Sequence, residues 1–126
     1  ETWARSKLDA LVHEDEQSAR VIDYKTGKKW GNEIPHSQQC LLYAIATFFR
    51  YPQLQYVQTE LWYLDKGETT VKSFTREQAM NFAPGFYSRA IAMTTCTDFA
   101  PNPSKNNCRW CSYRKGDEPE CGWGVE

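Results

Sequence analysis

Asp23 and Lys25 stand in the middle of the segment Arg20-Val21-Ile22-Asp23-Tyr24-Lys25-Thr26-Gly27-Lys28-Lys29, and their types and spacing suit metal chemistry. Val21 and Ile22 favour a strand, and Gly27 permits a turn directly after it. Alternation along a strand puts Asp23 and Lys25 on one face and Tyr24 on the other. A carboxylate beside an ammonium at a strand end can hold a divalent cation and polarise a water next to it. A second carboxylate, Asp9, lies upstream by about the length of a hairpin. Two carboxylates and one lysine in one place suit metal-assisted phosphodiester hydrolysis, and the hydroxyl-bearing turn Thr26-Gly27 leaves room for a phosphate. A surface ion pair that keeps a strand edge soluble accounts for the same spacing without any chemistry.

Positioning these groups requires a hairpin. Residues 3–13 and 18–26 read as its two strands, joined by the polar turn Glu14-Asp15-Glu16-Gln17. Leu41, Leu42, Ile45, Ala46, Phe48 and Phe49 then recur at helical spacing between Pro35, which suits a helix start, and Tyr51-Pro52, which ends it. A third strand is expected over 56–65 and a shorter one over 69–74. Thr75 and Gln78 form a capping-box pair that opens a second helix of about twenty residues, which Pro84-Gly85 should bend or interrupt. The order β-β-α-β-β-α predicts an α/β domain with one mixed central sheet flanked by helices. Residues 1–95 make its core, and residues 96–126 a cysteine-bearing C-terminal tail packed on the same domain.

The composition supports a globular chain. Hydrophobic residues make up 40% of its 126 positions, too many for a disordered segment. No apolar run approaches the length of a membrane span and no export signal opens the chain, so a cytoplasmic protein with no membrane partner is expected. The net charge of -1 excludes a uniformly cationic surface. Charge is segregated, however: between Ser104 and Lys115 the cations Lys105, Arg109, Arg114 and Lys115 face no carboxylate. A solvated basic loop explains them on their own; beside a metal-site motif they become candidates, with Lys28, for contact to a DNA backbone.

The chain resembles the RecB-like branch of the PD-(D/E)XK nuclease superfamily, which spans bacterial recombination nucleases, CRISPR-associated nucleases and many phage exonucleases. The resemblance rests on Ser6-Lys7-Leu8-Asp9, on Val21-Ile22-Asp23-Tyr24-Lys25-Thr26-Gly27-Lys28, on Gln39 with Tyr43, and on Pro103-Ser104-Lys105-Asn106-Asn107-Cys108-Arg109-Trp110-Cys111. It implies a restriction-endonuclease-like core. It also implies that Asp9, Asp23 and the Tyr24 carbonyl ligate Mg²⁺ or Mn²⁺, that Lys25 orients the attacking water, and that Gln39 and Tyr43 position DNA and the lysine. The expected activity is an exonuclease or end-processing reaction leaving 5′-phosphates, in a bacterial or phage-infected cell, with a recombination or replication protein as a further partner. A structure-specific endonuclease and a nuclease-fold binding module without cleavage are the alternatives. Glu60 is expected to be structural. As exposed charges, Asp23 and Lys25 are expected to contribute little to folding.

Five cysteines without an export signal do not make a secreted scaffold. Cys40 reads as a core thiol. Cys108-x2-Cys111-x9-Cys121 resembles a ligand set, and Cys96 can complete a four-cysteine zinc site; free thiols and an iron–sulfur cluster are the other readings. The family resemblance favours a 4Fe–4S cluster whose fourth cysteine precedes the hairpin. This chain has no cysteine there and begins Glu-Thr-Trp-Ala-Arg, so a missing N-terminal segment and poor cluster occupancy are expected.

Overall fold

The computed structural model describes residues 4–27, 29–117 and 120–126. They form two compact units, Glu1–Thr94 and Thr95–Glu126.

The first unit carries one sheet. Strand β1 (Ala10–His13) pairs antiparallel with β2 (Ser18–Lys25), which runs parallel to β3 (Tyr56–Tyr63), and β4 (Glu68–Thr75) returns antiparallel along β3. The order β1-β2-β3-β4 is therefore a mixed sheet. Its parallel step exists because helix α1 (Glu33–Arg50) carries the chain from the end of β2 back to the start of β3.

Strand alternation decides which residues meet that helix. Ala19, Val21 and Asp23 on β2 are buried, and they lie in register with Val57, Thr59 and Leu61 on β3. Against this face α1 turns Tyr43, Ala44 and Phe48, joined in one apolar cluster by Leu54 and by Ala79 of helix α2 (Arg76–Thr95). Cys40 closes a second cluster with Leu61 and Tyr63, as a core thiol should. Burial raises its thiol pKa further, which keeps it neutral.

The first strand is shorter than its alternating sequence predicts. Residues 4–9 lie outside it, because pairing with β2 begins only at Ala10↔Ile22 and Asp9 sits in a bend. The fourth strand is longer than expected, pairing with β3 along its whole length. Thr75 and Gln78 make the predicted capping box: the Thr75 N–H donates to Gln78 Oε1 at 3.0 Å and the Gln78 N–H to Thr75 Oγ1 at 3.2 Å. Helix α2 then continues through Pro84 rather than stopping there. Among the described residues no helix is long and apolar enough to cross a membrane.

Arg76 ties the ends of the two long helices together. Its guanidinium donates to the carbonyls of Leu54, Phe48, Tyr51 and Pro52 at 2.8–3.3 Å and stacks over the Phe48 ring at 5.0 Å. Several of these carbonyls belong to the last turn of α1 or just beyond it, where intrahelical donors run out. Replacing Arg76 by Ala is expected to cost about 2 kcal/mol of stability, since charged donors to partly buried carbonyls are worth more than neutral ones. Chemical denaturation checks the figure, and Arg76→Lys should recover only part because one ammonium cannot span the set.

In the second unit, helix α3 (Lys105–Arg109) is the one regular element among the described residues. Ser104 caps it, its Oγ accepting from the Asn107 N–H at 3.0 Å. Beyond it the chain folds back on itself. The Cys121 N–H donates to the Tyr113 carbonyl at 2.9 Å, and the Val125 N–H points at Cys108 Sγ at 3.5 Å.

Candidate active site

Ser18–Lys25 ends in a row that changes character. Ala19 and Val21 feed the core, and the same face continues as Asp23 and Lys25, beneath the first half of α1. On that helix Gln39 and Tyr43 lie one turn apart on one side. The four side chains close a ring. Lys25 Nζ lies 2.7 Å from Asp23 Oδ2 and donates to Gln39 Oε1 at 2.5 Å. Gln39 Nε2 donates to Tyr43 Oη at 2.9 Å, and Tyr43 Oη donates to Asp23 Oδ1 at 3.3 Å.

Asp9 joins from the bend that precedes β1. It comes one residue before the Ala10↔Ile22 pair, and its Oδ2 accepts the Tyr24 N–H at 2.9 Å. That bond anchors a second carboxylate to the backbone of the residue between Asp23 and Lys25. Tyr24 itself turns to the opposite face, where its ring meets Trp62 edge-on at 5.7 Å. Glu60 lies on that opposite face too, held by Arg20 at 3.3 Å and by the Trp62 indole N–H at 3.3 Å, which is a structural placement.

Asp23 is not the exposed charge that the sequence suggested. Only 5% of it is accessible, because α1 covers the end of β2. Its Oδ2 is buried and, among the described residues, accepts no well-aligned hydrogen bond although the Lys25 ammonium stands close by. Expecting its replacement by Ala to be nearly free of folding cost is therefore wrong: a buried ion pair is costly to break from one side.

The carboxylate also acts on its neighbours. Burial, then the Asp23 charge and the hydrogen bond to it, raises the Tyr43 pKa, so this hydroxyl stays a proton donor. His36, one turn before Gln39 on α1, pairs its Nδ1 with Tyr63 Oη at 2.7 Å. Burial and the Lys25 charge lower its pKa below 6.5, against opposite pulls from Asp23 and Glu33. Neither His36 nor Tyr63 was marked by the sequence; the spacing of His36 to Gln39 was the available signal.

A lowered histidine pKa has a defined consequence. Above pH 6.5 the imidazole is neutral in both folded and unfolded chains, and its contribution to stability is fully present. As the pH falls below that value the unfolded chain takes up the proton first, and stability declines until the folded value is passed. Thermal melts across this window in EDTA should show the decline, and His36→Gln should flatten it.

Residues 5–115 match the family model of the PD-(D/E)XK nuclease superfamily. The chain belongs to that superfamily. No curated protein and no solved structure matches it. For a PD-(D/E)XK chain, the mixed four-stranded sheet with helices packed on it is the restriction-endonuclease-like core, and the match runs through Asp9, Asp23 and Lys25.

The donor set beside β2 suits a hard cation. Asp9, Asp23 and the Tyr24 carbonyl are all oxygen donors at adjacent places in the hairpin, and Asp23 Oδ2 retains lone pairs for an ion. Among the described residues, no three His, Cys, Asp or Glu side chains gather as an ion-holding group. An ion held here would complete its shell with water and substrate phosphate, as Mg²⁺ commonly does. Cys96, Cys108, Cys111 and Cys121 form no disulfide; the Val125 N–H approaches Cys108 Sγ at 3.5 Å and the Tyr113 N–H approaches Cys111 Sγ at 3.4 Å. Lys105, Arg109, Arg114 and Lys115 share one concavity of the second unit. Lys28 lies outside the described residues.

Proposed function

We propose that this PD-(D/E)XK protein hydrolyses DNA phosphodiester bonds with a divalent cation, as an exonuclease or end-processing enzyme of the RecB-like branch. The closed ring of Asp23, Lys25, Gln39 and Tyr43, with Asp9 anchored on Tyr24, carries this reading. A surface ion pair has no need of two further polar side chains, one holding its lysine and the other its carboxylate.

Asp9, Asp23 and the Tyr24 carbonyl would hold Mg²⁺ or Mn²⁺. Bound there, the ion would supply Lewis acidity, offsetting charge at the scissile phosphate and acidifying a water, with 5′-phosphate products. Lys25 orients that water and offsets charge on the phosphate. Gln39 accepts from the Lys25 ammonium and so limits its rotation, and Tyr43 sets the angle of the Asp23 carboxylate. Lys105, Arg109, Arg114 and Lys115 supply contacts to the DNA backbone.

End-labelled linear DNA and circular single strands, incubated with Mg²⁺ or Mn²⁺, test the mode of action. Release of labelled mononucleotides or short oligomers from linear DNA alone supports an end-dependent enzyme. Cutting of the circle assigns an endonuclease instead, and binding with no cutting of either assigns a binding module. The tail thiols carry a separate expectation. Purified anaerobically, the chain should retain iron well below a full 4Fe–4S complement; elemental analysis checks this, and one tightly held zinc per chain would favour a zinc site using Cys96.

A further inference from the structure

The second unit displays large aromatic rings beside its cations. Trp110 is 76% exposed, Trp123 67% and Tyr113 57%, although indole and phenol rings are usually drawn into cores. The Arg109 guanidinium lies over the Trp110 ring at 4.8 Å. Arg109 and Trp110 are brought together where α3 ends and the chain turns at once, with the Cys111 N–H donating to the Cys108 carbonyl at 3.1 Å.

The cations converge. Lys105, Arg109, Arg114 and Lys115 line a concavity of about 320 Å³, in which Glu126 is the one carboxylate side chain among the lining residues. The fold of the unit holds them there. Arg114 Nε is oriented by Asp117 Oδ2 at 2.8 Å. Gly124 packs so closely on the Lys115 backbone that an added Cβ would lie 3.3 Å from the Lys115 nitrogen and 3.1 Å from the Cys121 carbonyl oxygen. A solvated basic loop needs neither a shared concavity nor exposed indoles.

Backbone phosphates explain the cations but not the rings. Bases of a duplex are stacked on one another and present no free face, whereas those of a single strand can stack on an aromatic side chain. We infer that the second unit binds single-stranded DNA, with Trp110 and its Arg109 partner as a base-stacking platform and the concavity receiving adjacent phosphates. The inference rests on the DNA-processing reading above and adds which form of DNA this unit holds. Charge decides against an apolar peptide as occupant, since Lys105, Arg109 and Lys115 would lose water there without gaining an anion.

Binding can be measured without cleavage. The whole chain is titrated in EDTA against a labelled oligothymidylate of about 15 nucleotides, the matching duplex and the matching oligouridylate. Trp110→Ala should weaken oligothymidylate binding about tenfold and leave duplex binding nearly unchanged. Trp110→Phe should restore most of the loss, since a phenyl ring still offers a face on which a base can stack. Lys105→Gln and Lys115→Gln should each lower the slope of log affinity against log salt by about 0.7. Equal loss on both DNA forms, or oligothymidylate binding by Trp110→Ala within twofold of the parent, overturns the platform. Binding of oligouridylate alone overturns the assignment to DNA. None of these outcomes depends on hydrolysis, so an inactive core and a failed platform are told apart.

Discussion

Asp23→Asn is expected to lower metal-dependent DNA cleavage by about a thousandfold or more, since it removes a charged ligand from the ion and leaves the side-chain shape intact. Asparagine can still accept from Tyr43 Oη, which lies 3.3 Å from Asp23 Oδ1, so the loss reports charge rather than collapse. Lys25→Ala should reach a similar loss of turnover by a different route. It removes the group that orients the water while both carboxylates remain. Calorimetry with Mn²⁺ separates the two: Asp23→Asn should bind the ion weakly and Lys25→Ala should bind it well. Normal turnover by either variant removes the proposed site.

The second large effect is on stability. Lys25→Ala leaves the Asp23 carboxylate 5% exposed and without the ammonium that stands 2.7 Å away. An uncompensated buried charge is costly; with Lys25 itself partly open to solvent, the expected loss is about 2 kcal/mol at neutral pH. One treatment should recover it. A divalent cation restores it by replacing the lost positive charge, so Mg²⁺ or Mn²⁺ should raise the melting temperature of Lys25→Ala by more than that of the parent. A variant equally stable with and without the ion would show that Asp23 has some other partner.

Much of this site could be read before any fold was known. Strand alternation alone set Asp23 and Lys25 on one face, and helix periodicity alone set Gln39 and Tyr43 together. The capping box at Thr75 and Gln78 is local as well, and the backbone forms it as expected. What escaped depends on residues far apart in sequence. Asp23 looked exposed because nothing in its own strand shows that α1 will cover it. His36 meets Tyr63, and Arg76 meets the end of α1, only after the sheet has brought distant segments together. The first strand was overestimated for a similar reason: alternation continues upstream of Ala10, but pairing with β2 does not. In the tail, cysteine spacing suggested ligands, while the exposure of Trp110 and Trp123 carries no signature in the sequence.

Cleavage of 5′-labelled linear DNA by the parent chain, with Mg²⁺ and then with EDTA, tests the central claim most directly. Time-dependent shortening with Mg²⁺, products ending in 5′-phosphate, and no reaction in EDTA or with Asp23→Asn are the predicted results. Cleavage that persists in EDTA, or that Asp23→Asn leaves unchanged, would contradict the account.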